Sequence, residues 1–191
     1  MILSWPPDYD CDPNVIYAVD ENLRIVRCNA AWDTFALENN GSAARGSKVQ
    51  GVSLFAVIPQ VLSDYYNSGF QAARKQGRWQ HDFDCSSARV TRRLRMTVTP
   101  FGSGLLFRNV VLKDTLAPAS EARANFADYG PGINMCSHCR RVENRKANVW
   151  QWVPEFIEAM PAETRSDLCP ACWTYHYGDG GGSKETPMPA A

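Results

Sequence analysis

Val15-Ile16-Tyr17-Ala18-Val19-Asp20, followed after a short polar break by Arg24-Ile25-Val26-Arg27-Cys28-Asn29-Ala30-Ala31-Trp32, decides how the first half of this chain folds. Val15 to Val19 is a short apolar run, Asp20-Glu21-Asn22 is a turn signal, and Leu23 to Val26 resumes the apolar pattern. Two such runs joined by a polar turn read as a β-hairpin. Asn29 stands before Ala30, Ala31 and Trp32, with Phe35 and Leu37 beyond. A side-chain oxygen at that place accepts a backbone N–H from the first helical turn, so strand gives way to helix there.

Outward from this stretch, Asn39-Asn40-Gly41-Ser42 interrupts the pattern, and Val49 to Ile58 reads as a short buried element closed by Pro59. Between Gln60 and Gln76, Val61, Leu62, Tyr65, Tyr66, Phe70 and Ala73 recur at three- and four-residue intervals, which predicts a helix with one apolar face, ended by Gly77. Three strand-like runs follow, at 78–85, 90–101 and 104–112. Grouped strands with helices between them predict an α+β fold, a five-stranded antiparallel sheet with helices on one face. Period-2 alternation puts Arg93, Arg95, Thr97 and Thr99 on one side of the second run and Leu94, Met96 and Val98 on the other.

The order ββ, helices, βββ, carried by 15–20, 24–32 and the Asn29-Ala30-Ala31 step, resembles a PAS domain over about Asn14 to Leu112. The resemblance implies signal transduction: a curved sheet and its helices enclose a cavity for an unknown small-molecule ligand or an empty packed core, and the outer sheet face meets a second copy or a signalling partner. The Asn-Cys-Arg flavin-attachment motif of light-sensing relatives is absent. Haem-binding relatives use a His on the long helix, and 60–76 contains none. His81, on a strand, is expected as a surface or cavity-edge imidazole.

A second, smaller unit follows. Residues 1–13 form an acidic lead-in, 14–112 the sensor domain, 113–133 a linker with a candidate short helix at 117–124, 134–178 a cysteine-bearing module, and 179–191 a disordered tail. Cys136-Ser137-His138-Cys139 and Cys169-Pro170-Ala171-Cys172 are two Cys-x-x-Cys pairs, each able to turn two thiolates toward one point. Four thiolates suit tetrahedral zinc and leave no open position, so Cys136, Cys139, Cys169 and Cys172 are the expected ligands of a closed, structural zinc site. An iron–sulfur cluster takes the same ligand set, and Cys-x-x-Cys pairs also support thiol–disulfide chemistry. The interval from Arg140 to Leu168 is 29 residues, longer than common zinc ribbons. In it, Trp150, Trp152, Val153, Phe156, Ile157 and Met160 read as a strand running into a short helix with Pro154 near its first turn. The whole stretch resembles a small Cys-pair module at the C-terminal ends of bacterial PAS and response-regulator proteins. His138 and His176 are expected to face solvent or lie beside the metal. Cys28 and Cys85 read as small packed hydrophobes and Cys11 as an exposed thiol.

Composition narrows the function. The 20 Lys+Arg and 20 Asp+Glu cancel, which argues against a generally basic nucleic-acid binder. The cancellation is local, however: residues 1–42 carry seven acids and two bases, residues 43–116 four acids and eleven bases. The Arg93–Arg95 face reads as a solvated outer face opposite the core, and the opposite signs offer an alternative in which it receives Asp8, Asp10 and Asp12, in the same or a second subunit. No apolar run is long enough to span a membrane, and the first residues lack the features of a secretory signal. A cytoplasmic location is expected, where thiols stay reduced. The primary expectation is a non-enzymatic sensor or adaptor, with homodimer or signalling-protein contacts. The alternatives are a redox sensor or oxidoreductase using the cysteine pairs, and a transcriptional co-regulator touching nucleic acid through Arg140, Arg141, Arg145 and Lys146.

Overall fold

The computed structural model describes residues 5–39, 41–121, 129–130 and 132–178. Strands β1 (Val15–Val19) and β2 (Ile25–Cys28) form the expected hairpin, and helix α2 (Ala30–Glu38) starts at Asn29. Asn29 is buried, and its Oδ1 accepts from the Trp32 N–H at 3.1 Å and from the Ile16 N–H at 3.0 Å. Its amide group donates to the carbonyls of Tyr9, Asp12 and Asn14. One side chain thus caps a helix, closes a strand end and fastens the lead-in.

Helix α4 (Gln60–Gln76) presents Leu62, Tyr66, Gly69, Phe70 and Ala73 inward and ends on Gly77, whose φ of 83° is the left-handed value glycine adopts without strain. Strands β3 (Trp79–Asp84), β4 (Val90–Phe101) and β5 (Gly104–Leu116) complete a five-stranded antiparallel sheet in the order β2-β1-β5-β4-β3. Leu94, Met96 and Val98 are buried and Arg93 and Arg95 exposed, as alternation requires. The concave face is filled by rings: Tyr17 stacks on Phe107 with centroids 4.6 Å apart, and Phe70 meets Phe107 edge-on at 5.3 Å. Burying an aromatic or large aliphatic side chain contributes about 1.5–3 kcal/mol, so this face dominates the domain's stability.

The 49–58 region is not one buried element. Helix α3 (Gly46–Val49) ends there, and a 3-10 turn at Leu54–Ala56 follows, with Leu54 buried while Val57 is 64% exposed. Its backbone attaches to the hairpin through Arg24 and Ile25 instead, which short turns accomplish without a hydrophobic face.

On the outer sheet face, the lead-in helix α1 (Pro7–Cys11) lies in the same subunit. Trp5 and Tyr9 cover Ile16, Ala18, Leu106 and Phe101. Asp10 pairs with Arg27 and Asp12 with Arg108, both at 2.9 Å. Within the subunit the lead-in does not pair with Arg93 and Arg95, whose side chains meet Asp84 and Asp82 of neighbouring β3. A partner directly opposite on the adjacent strand is already in reach and needs no chain to cross the sheet.

Strand β5 runs on past Leu112 to Leu116, and residues 117–121 are not helical. The rest of the candidate helix and the tail 179–191 lie outside the described residues. The second unit has a four-stranded sheet, β8-β7-β6-β9, built from β6 (Asn134–Cys136), β7 (Val142–Asn144), β8 (Val149–Gln151) and β9 (Arg165–Asp167). Helices α5 (Pro154–Glu158) and α6 (Pro170–Tyr177) accompany it. Tyr129, Ile133, Met135, Val142 and Val153 form its own small core.

Candidate metal centre at the junction of the two units

The tight turn between β6 and β7 makes the first knuckle. The Arg140 N–H donates to the Cys136 carbonyl at 2.9 Å, and Arg140 takes a left-handed φ of 63° to reverse the chain. The second knuckle is the entry to α6, where Pro170 occupies the first turn and the Trp173 N–H donates to the Cys169 carbonyl. The two bring the sulfurs of Cys136, Cys139, Cys169 and Cys172 within 4.8 Å of one another. Cys139 and Cys169 are 3.8 Å apart and all four are free thiols. Four sulfurs at ~2.3 Å from one tetrahedral ion stand about 3.8 Å apart, so this donor set fits zinc.

Chemistry agrees with spacing. Hydrogen bonds from Cys139, Cys169 and Cys172 draw the Cys136 thiol far below its ordinary range, while hydrogen bonding to Cys136 pushes Cys139 and Cys172 up. Thiolates gathered in so small a buried volume require a cation to offset their charge. Cys11 is exposed; Cys28 and Cys85 are half-buried, and burial pushes the Cys28 thiol up to about 12, as for an inert packed thiol.

The module packs directly on the first domain. Cys136, Leu168, Cys169 and Cys172 belong to the same buried cluster as Tyr17, Phe70 and Phe107. The Tyr177 hydroxyl donates to the Val61 carbonyl at 2.6 Å and the Tyr175 hydroxyl to the Asp82 carbonyl at 2.8 Å, tying α6 to α4 and to β3. Of the basic residues proposed to meet nucleic acid, Arg141 is paired with Glu121 and Arg145 with Glu143.

His138 and His176 take the second of their two expected places, beside the thiols, and His81 is more deeply buried than a surface imidazole. His81, His138 and His176, the three histidines of the chain, are all buried, at 4%, 7% and 8% exposure, and they converge beside the thiols. Burial, then the neighbouring His176 and His138, lowers the His81 pKa to about 3. Burial, then His138, lowers His176 to about 4. His81 lies flat against Trp79 on β3, with Tyr65 and Tyr66 of α4 edge-on. Sequence signals for this grouping existed: Trp79, His81 and Phe83 alternate on one strand face, His138 lies between two thiols, and His176 follows Cys172 by one helical turn.

No protein-family model and no curated protein matches the chain. Solved structures resembling the first domain include the PAS domain of a Colwellia psychrerythraea protein (14% identity, TM-score 0.42), covering 55% of this chain and 90% of that one. They also include the photoactive yellow protein domain of the sensor histidine kinase Ppr from Rhodospirillum centenum (16%, 0.40; 56% and 93%) and the PAS domain of Bordetella pertussis BvgS (22%, 0.35; 53% and 74%). The strand order, with α4 packed over the inner face, gives the first domain a PAS-like fold, to which a clustered four-cysteine module is joined.

Proposed function

We propose that this chain is a non-enzymatic signalling sensor or adaptor in which the PAS-like domain and a zinc-held cysteine module work as one unit. The supporting observation is the shared hydrophobic cluster: the thiol-bearing residues Cys136, Cys169 and Cys172 pack with the rings that fill the sheet's concave face. Zinc on Cys136, Cys139, Cys169 and Cys172 fixes the two knuckles, and the knuckles fix α6 against β3 and α4. The metal's role is structural, because four thiolates complete its coordination. A reducing cytoplasmic setting keeps those thiols available. With Tyr17, Phe70 and Phe107 occupying the interior, the input is contact with a signalling partner or a second copy of the chain, ahead of capture of a small ligand.

Hydrogen exchange on the full chain, before and after zinc is stripped by a strong chelator under reducing conditions, tests this. Faster exchange in 134–178 together with β3 and α4, and a change in dimer or partner binding, is the expected result. Exchange confined to the module, with the first domain and its associations unchanged, overturns the coupling.

A further inference from the structure

We propose that His81, His138 and His176 form a second metal site, distinct from the four thiols, that binds one divalent transition-metal ion between the two units. One ligand nitrogen from each ring lies within 4.8 Å of the others. Imidazole suits zinc, copper, nickel and iron, and binds them in its neutral form.

The partners on the far side of the rings set the direction of the lone pairs. The Tyr65 hydroxyl lies 2.9 Å from His81 Nδ1. With Nδ1–H donating to that hydroxyl, the His81 lone pair sits on Nε2, which is buried and has no hydrogen-bond partner. The Asp84 carboxylate lies 3.6 Å from His138 Nε2, on the ring edge opposite Nδ1. At that distance the carboxylate makes no hydrogen bond, but its charge favours the tautomer with the proton on Nε2 and the lone pair on Nδ1. His138 Nδ1 and His176 Nε2 are 2.9 Å apart. Two nitrogens at 2.0–2.1 Å from one tetrahedral ion are about 3.3 Å apart, so an ion opens this pair by a few tenths of an ångström while His81 closes on it.

Hydrogen bonding alone accounts for the cluster less well. Three buried imidazoles hold three N–H groups and three lone pairs, yet both His81 Nε2 and His176 Nδ1 are left unpaired. An unpaired buried polar atom costs about 1–3 kcal/mol. An ion on His81 Nε2 removes one of the two. His138 and His176 belong to the cysteine module and His81 to the PAS-like sheet, so the ion is a clasp across the junction. Three protein ligands leave a position open, unlike the closed thiolate site.

Metal content of the purified full chain, by elemental analysis and native mass spectrometry after zinc loading and desalting, decides the matter. Two ions per chain are expected for wild type and one for His81→Phe, which keeps a flat ring in the aromatic cage. In the cobalt-loaded protein, the ion lost in His81→Phe carries no thiolate-to-cobalt charge-transfer band, while the band of the four-thiolate site remains. Asp84→Asn should weaken the second ion about 10–100-fold. His176→Gln provides a second route should His81→Phe fail to fold, as judged by near-ultraviolet circular dichroism. A single ion per chain in wild type, or a second ion that survives both His81→Phe and His176→Gln, overturns the proposal. Loss of the thiolate-bound ion alone in Cys172→Ser, with the histidine-bound ion retained, separates failure of the zinc-module reading from failure of this one.

Discussion

Replacing Asn29 with Ala removes five hydrogen bonds from one buried point, and its cost can be worked from the partners left behind. The Trp32 N–H loses its helix cap, a change that costs about 0.5–2 kcal/mol. The Ile16 N–H loses the Oδ1 acceptor at 3.0 Å beneath a residue that is 1% exposed. Water cannot replace that acceptor, and a buried unsatisfied donor costs about 1–3 kcal/mol. The carbonyls of Tyr9, Asp12 and Asn14 belong to the lead-in and can turn to solvent when it lifts, so they add little. The total is about 2–5 kcal/mol, a large part of the 5–15 kcal/mol typical of whole domains. Urea unfolding followed by tryptophan fluorescence measures it. Asn29→Asp sharpens the test, because the acceptor oxygen stays while the three donated bonds go. Asp should preserve the α2 cap yet release residues 5–14 to protease, whereas Ala loses both. Asn29→Ala within 1 kcal/mol of wild type, or a lead-in equally protected in all three proteins, would refute the reasoning.

Gly69 lies where a Cβ would overlap the indole of Trp79; Gly69→Ala should therefore cost about 1–3 kcal/mol by urea melt, although alanine is the better helix former, and a gain in stability would contradict the α4–β3 contact. Burial pushes the Tyr65 phenol up to about 12 and Tyr66 higher still. Both stay neutral in the fold after the unfolded chain ionises near pH 10, so their contribution is complete below pH 10 and is lost progressively as pH rises toward 12. Thermal melts across that range should show a falling midpoint, less steep in Tyr65→Phe.

Much of the fold was legible because it rests on local rules. Alternation placed Leu94, Met96 and Val98 inward, and the α4 face followed from three- and four-residue spacing. Asn29 announced the helix it caps. The thiol cluster was legible for the same reason, since each Cys-x-x-Cys pair is a local turn. What sequence did not supply were choices between distant partners. Arg93 and Arg95 had two acidic sets available, and the nearer one, on β3, prevailed. The three histidines lie 57 and 38 residues apart along the chain, so no periodicity joins them; only the docking of α6 on β3 brings them together. Judged singly, each allowed a surface place or one at the edge of a site, because histidine is intermediate in burial, and the partners that bury them are each other.

If four thiolates hold one zinc, removing that zinc releases the module. Titrating the reduced, zinc-loaded chain with an organomercurial in the presence of a zinc-sensitive dye tests it most directly. Release of one zinc per chain is expected as Cys136, Cys139, Cys169 and Cys172 are modified, with loss of ordered structure in 134–178. Modification of those four thiols without release of zinc, or their appearance as disulfides that react only after reduction, would contradict it.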